Sequence, residues 1–223
     1  MATNTTNTTT IRAQERVLAT NKVLRNTYLL LAMTLLFSAV TAGVSAALNL
    51  PHPGVVLTLV GYFGLLFLTT KFRNSAAGLL FVFMLTGFMG YTLGPIINVY
   101  LGLPNGTDIV MMAMGGTAAI FLGLSLYALT SRQNFSYMGS FLMVGILVAF
   151  LAGVAAIFFS MPALSLAVSA MFVLLMSGLI LYQTSEIIHG GATNYIMATV
   201  TLYVALFNLC TGLLHLLGFA SDD

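Results

Sequence analysis

The chain has 223 residues, 59% hydrophobic and 5% charged, with seven Lys or Arg, five Asp or Glu and a formal net charge of +2. An ordinary soluble domain carries about 25% charged residues, so this composition cannot cover a water-facing surface; it excludes a soluble globular enzyme and marks an integral membrane protein. So few, scattered cations also offer nucleic acid no basic patch.

Residues 1–26 are polar: a Thr/Asn run, then Arg12, Arg16, Lys22 and Arg25 beside a lone Glu15. No apolar stretch follows within the first dozen residues, so the segment is read as a retained, flexible tail and not as a signal peptide. Its basic half could instead form a short amphipathic helix through Val17, Leu18, Val23 and Leu24, lying on an anionic membrane surface.

Seven apolar stretches follow, at about 27–49, 54–70, 76–100, 108–130, 135–160, 163–187 and 195–219, and a spanning helix needs roughly 20 apolar residues. The expected architecture is therefore an all-α, seven-helix transmembrane domain over residues 27–223 behind the tail. Turn formers mixed with polar groups separate the spans: Leu50-Pro51-His52-Pro53-Gly54, Lys71-Phe72-Arg73-Asn74, Leu103-Pro104-Asn105-Gly106, Ser131-Arg132-Gln133-Asn134, Ser160-Met161-Pro162 and His189-Gly190-Gly191.

Every Lys and Arg lies in the tail, in the loop with Lys71 and Arg73, or in the loop with Arg132. Seven spans put all three on one side. The positive-inside rule then places the amino terminus in the cytoplasm and the carboxyl terminus, with Asp222 and Asp223, outside. With no tryptophan in the chain, an interfacial aromatic belt must be tyrosine, and Tyr28, Tyr62, Tyr91, Tyr100, Tyr127, Tyr137, Tyr182, Tyr195 and Tyr203 are its candidates. Gly43 with Ala47, Gly90 with Gly94, and Gly115 with Ala119 and Gly123 form small-xxx-small faces expected to bring helices close. Gly94-Pro95 should kink the third helix.

Polar side chains concentrate between Leu181 and Phe219. Tyr182, Ser185, Glu186 and His189 fall at i, i+3, i+4 and i+7 and share a face. Thr201, Ala205, Asn208, Gly212 and His215 give the seventh helix a narrow polar and small stripe, and the two stripes are expected to face each other. Glu186 sits near the cytoplasmic end of its helix. Snorkelled to water it is a solvated terminus; turned into the bundle it becomes a proton or cation group. His189 reads either as a pH sensor paired with Glu186 or as a cap on the last carbonyls of its helix. His215, Asn208 and Asn98 are expected to hydrogen-bond between helices, and Asp108 to stabilise the free amides opening the fourth helix. Cys210 lies alone in the last span, which excludes an internal disulfide and argues against a thiol metal site. The chain has no intramembrane protease signature, His-Glu-x-x-His, P-loop or dinucleotide fingerprint. No enzyme activity, metal or cofactor is expected, and high-affinity calcium binding of the EF-hand kind is excluded.

The run Lys22-Val23-Leu24-Arg25-Asn26-Thr27-Tyr28, the Leu93-Gly94-Pro95-Ile96 break, Gly115-Gly116-Thr117-Ala118, Ile187-Ile188-His189-Gly190-Gly191 with Thr193-Asn194-Tyr195-Ile196, and Leu217-Gly218-Phe219-Ala220-Ser221 resemble the Bax inhibitor-1 family from about Asn21 onward. Within it the chain is most similar to a bacterial branch described as modulators of the membrane-anchored AAA protease FtsH. The resemblance implies a seven-helix bundle with the last helix at its centre, in the bacterial inner membrane. It also implies a binder of the FtsH protease complex that is itself seized by the tail, which makes Arg12, Arg16, Lys22 and Arg25 the candidate handle. Other members resemble pH-sensitive calcium or proton leaks using one aspartate in the sixth helix and one in the seventh. The matching positions here are Gln183 and Ala205, so such a leak would need Glu186 to stand in. Glu186, His189, Gln183, Asn208 and His215 are accordingly the candidate pore or pH-sensing residues.

Overall fold

The computed structural model describes residues 3–220, with side chains described from Leu18 onward. Seven helices follow one another: α1 Thr3–Ala47, α2 Val55–Lys71, α3 Ala76–Leu101, α4 Gly106–Ser131, α5 Gly139–Phe158, α6 Pro162–Ile188 and α7 Tyr195–Ala220, with a short 3-10 turn at Ser136–Met138 leading into α5. Six are long and apolar enough to cross a bilayer, the first through Leu18–Ala47, and α2 is a shorter apolar helix. The molecule is an all-α, seven-helix membrane bundle.

The start of α1 differs from the sequence expectation. Helical backbone begins at Thr3 and not near residue 27. No proline or glycine precedes Gly43 to interrupt it, so the apolar span and the polar stretch before it form one helix. The other boundaries follow local chemistry. Gly54 (φ 85°) opens α2 and Gly190 (φ 78°) follows α6 in a conformation open to glycine. Pro162 starts α6, where a missing amide costs nothing. Pro95 sits inside α3 without ending it.

In the packing, α7 touches α1, α3, α4 and α6, while α2 leans on α3 and α5 on α6. Half of the apolar span of α7 is buried, against 17% of that of α5, so the seventh helix is the central one. Leu202, Ala205, Leu209 and Leu214 are fully enclosed. Tyr203 is not a belt residue: it is 2% exposed in the core, its hydroxyl paired with Ser38 of α1 and donating to the Thr86 carbonyl of α3 at 3.1 Å.

Small residues matter on one seam and not on another. A side chain on Gly90 or Gly94 would strike Ser38, Thr41, Ala42 or Ser45 of α1, and Ser45 Oγ reaches the Tyr91 carbonyl at 2.9 Å across that contact. Gly43, Gly115 and Gly123 instead have open space where a side chain would be. These small-residue faces point away from the bundle, because Ala42 and Ser45 supply the inward face of α1 there and Ala113, Thr117 and Ala128 that of α4.

The connections meet as the charge pattern requires. Asn194, between α6 and α7, donates to Arg73 O at 3.0 Å and Asn74 Oδ1 at 2.8 Å, between α2 and α3. Gly190 lies beside Thr20 of α1. The end of α6 also holds the α4–α5 connection, so all the cation-bearing segments gather at one end of the bundle.

Candidate functional site

That end is built around the last turn of α6. Ser185 is completely buried; its hydroxyl accepts from Phe135 N at 3.0 Å and donates to Gln133 O at 3.1 Å. Glu186, half-buried, accepts a short hydrogen bond from Ser136 Oγ. The ring of His189 lies 2.9 Å by Nδ1 from Ser185 O and 3.1 Å by Nε2 from Arg132 O. Tyr182 packs its ring where a side chain on Gly139 would go. The face read from the i, i+3, i+4, i+7 spacing is therefore real, and its hydrogen-bond partners lie in the 132–139 segment, while of the α7 stripe only Thr201 comes near it, across a polar cleft. His189 does not pair with Glu186; it closes the helix end and reaches across to the α4 terminus.

The turn after α6 completes the arrangement. Gly191 N and Ala192 N both donate to Glu186 O, at 2.8 and 3.0 Å, satisfying a carbonyl left free by the helix end. A side chain on Gly191 would collide with the Glu186 carboxylate, so glycine there is what lets the carboxylate fold over the turn. Replacing Ser185 with alanine leaves a buried amide and a carbonyl without partners, a loss of about 1–3 kcal/mol. Faster amide exchange across residues 133–138, with α7 unchanged, is the expected readout; unaltered exchange at Phe135 would show that the clasp does not hold the loop.

Beside the clasp lies a polar cleft of about 260 Å³, lined by Arg73, Tyr182, Gln183, Glu186, Asn194 and Thr201 among others. It brings one carboxylate and one guanidinium to a shared aqueous mouth. Gln183, 8% exposed, lines the cleft, and Ala205, fully buried, does not. Neither α6 above Tyr182 nor α7 beyond Thr201 contributes to its wall, and the cleft stops within about two turns of the helix ends. Arg73 and Ser136 belong to this site and were missed in the sequence; they sit in loops remote from α6, and only the helix spacing was readable.

The remaining candidates lie elsewhere. His215 Nδ1 is 2.7 Å from Ser169 Oγ, an α7–α6 pair as expected. The hydroxyl of Ser169 also lies 3.0 Å from Ser165 O of its own helix, so one serine hydroxyl joins the ring to the backbone of α6. Asn98 bonds across to Ala46 O of α1 at 2.9 Å. Asn208 does not bond between helices: its amide donates back to Val204 O at 2.8 Å. Asp108 stands in the first turn of α4. Lys22 and Arg25 are exposed on α1, and the side chains of Arg12 and Arg16 lie outside the described residues. Among the described residues no three His, Cys, Asp or Glu gather where a metal could bind.

Known proteins give this geometry its context. The chain is 56% identical over 207 residues, 93% of its own length and 94% of the other's, to the Escherichia coli K12 protein named "Modulator of FtsH protease YccA". The same identity and coverage relate it to the "Inner membrane protein YccA" of Escherichia coli O6:H1. It is 54% identical over 201 residues, 90% of each chain, to an uncharacterized protein of Pseudomonas aeruginosa. The family profile described as "Inhibitor of apoptosis-promoting Bax1" matches residues 20–222, and with nearly the whole chain covered this protein belongs to the Bax inhibitor-1 family.

Proposed function

We propose that this chain is a non-enzymatic regulator in the bacterial inner membrane that binds and modulates the FtsH protease complex, and that it is itself a substrate taken up through its amino-terminal segment. The observation that carries this reading is the near full-length identity to a protein named as a modulator of that protease. The charge pattern supports a cytoplasmic amino terminus and a periplasmic carboxyl terminus. In that orientation the clasped end, with Arg73, Arg132, Glu186 and His189, faces the compartment in which the basic segment of α1 begins. Mild-detergent extraction of membranes, capture of the tagged full chain and mass spectrometry of what accompanies it should recover FtsH above an unrelated seven-helix control. Equal recovery on both would refute the binding.

A second reading is a proton-responsive calcium leak. The cleft favours it by exposing Glu186 beside Gln183 and Arg73, and the coupled pair of acids expected for such gating is replaced here by an amide and a methyl group. Vesicles loaded with a calcium dye should show equal, negligible flux for wild type and Glu186→Gln between about pH 6 and 8, the range in which histidine ordinarily titrates. A pH-dependent wild-type flux abolished by the substitution would establish the leak in place of the regulator's inert scaffold.

A further inference from the structure

The short helix α2 packs on α3 and α5 packs on α6, leaving a wedge between the two pairs. Its outer edge is bridged by Phe63 and Phe150, ring centroids 5.8 Å apart and nearly perpendicular. Behind that contact lies a cavity of about 690 Å³ that reaches the central helix at Val204, Phe207 and Asn208. This is within the range of roughly 300–1,000 Å³ that holds a small organic ligand.

The chemistry of the wall restricts the occupant. Most of its polar groups are already used: Thr58 donates to Gly54 O, Thr92 to Met89 O and the Asn208 amide to Val204 O, which leaves the Tyr62 hydroxyl and Asn208 Oδ1 as the polar atoms on offer. A water molecule needs two to four polar partners to be held, and this wall leaves few on offer. A packed transmembrane helix is about 10–12 Å across, too wide to pass the Phe63–Phe150 edge without moving α2 from α5. A polymethylene chain is thin enough to slip beside it.

The mouth points to the source. Met143, Val144 and Leu147 line the cavity and are also 77%, 62% and 58% exposed on the outer face of α5, continuous with Leu151 at 58%. The surface that meets lipid therefore runs into the cavity with no polar rim between. The 17 residues of α2 give a helix of about 26 Å, short of the roughly 30 Å hydrocarbon core, so lipid next to it must already deform.

We propose that the cleft between α2 and α5 is a phospholipid site, in which one acyl chain enters from the bilayer past Phe63 and Phe150 and lies against Val204 and Phe207 of the central helix. The site is independent of the protease reading.

The full-length protein, reconstituted in phosphatidylethanolamine–phosphatidylglycerol vesicles whose acyl chains carry a diazirine, would be illuminated, digested and mapped by mass spectrometry. Lipid adducts are expected on residues 204–207 of α7, in addition to the outward positions Met111, Leu122 and Leu126 of α4. Val204→Trp, which puts a bulky ring where the acyl chain would meet the central helix, should abolish the α7 adducts while leaving those on α4 as in wild type; the α4 adducts also report that the variant is folded. Wild-type protein labelled on α4 but not on α7 overturns the proposal, whatever the variant does. A photoreactive phenylalanine analogue at Phe150 in cells that captures a polypeptide in place of lipid overturns it equally, by showing that a protein partner holds the cleft.

Discussion

Tyr203→Ala is expected to destabilise the bundle by about 3–5 kcal/mol, the range for emptying a large aromatic site in a packed core. The residue is among the largest fully enclosed side chains, and it stands on the helix that α1, α3, α4 and α6 surround. Its ring lies within the main core cluster, and its hydroxyl ties Ser38 of α1 to the Thr86 carbonyl of α3. Tyr203→Phe keeps the ring and gives up only the hydrogen bonds. Inside a membrane that loss averages about 0.6 kcal/mol and reaches about 1.7. Thermal unfolding in detergent should therefore rank wild type, Tyr203→Phe and Tyr203→Ala in that order, with the wider gap below the phenylalanine variant. Equal melting of the two variants would mean that the hydroxyl, and not the volume, holds the three helices together.

Tyr203 also shows where sequence reading stops. Its surroundings, Leu202-Tyr203-Val204, look like any apolar run, and tyrosine in a membrane protein without tryptophan is reasonably assigned to the interface. What makes it a core residue is Ser38, 165 positions earlier in the chain, and no local pattern carries that partnership. Gly90 and Gly115 make the same point. Both stand in small-xxx-small spacing, yet Gly90 meets Ser38 and Thr41 while Gly115 meets nothing. Spacing states that close approach is allowed; only the neighbouring helix decides that it happens.

Patterns bounded by the bilayer were readable throughout. The length of apolar runs and the Pro, Gly and Asn breaks placed α2 to α7 within a few residues, because the hydrocarbon thickness fixes helix length and backbone groups must emerge together into water. The face of Tyr182, Ser185, Glu186 and His189 was legible from helical period alone. Its partner was not: residues 132–136 form a loop with little periodicity, joined to α6 through backbone groups of Gln133 and Phe135 and the carbonyl of Arg132. Backbone partners leave no residue-type signature. Asn208 failed for a related reason, since an asparagine in a helix can turn its amide to its own preceding carbonyl and so need no neighbour.

Removing residues 2–20 is expected to leave the bundle folded and to stop the protein's turnover by FtsH, on the proposed reading of the first segment as the protease's handle. Folding should survive because, among the described residues, the side chains of α1 that join the core begin at Val23 and Leu24, and the family match starts at residue 20. Even a side chain added at Gly190 would meet Thr20 only at ordinary van der Waals distance. A pulling protease needs a chain end that can be drawn in with little resistance, and a polar amino-terminal segment is suited to that. In a pulse-chase with and without the protease, the full chain should decay only where the protease is present, and the shortened chain should persist in both. Decay of the shortened chain at the full-length rate would move the handle elsewhere, to the carboxyl terminus or a loop. Persistence of the full chain in both strains would instead remove the substrate role while leaving co-purification to decide binding. Neutralising Arg12, Arg16, Lys22 and Arg25 together at unchanged length separates the two ways a handle can work: retained decay assigns it to the reach of the segment, and lost decay to its charge.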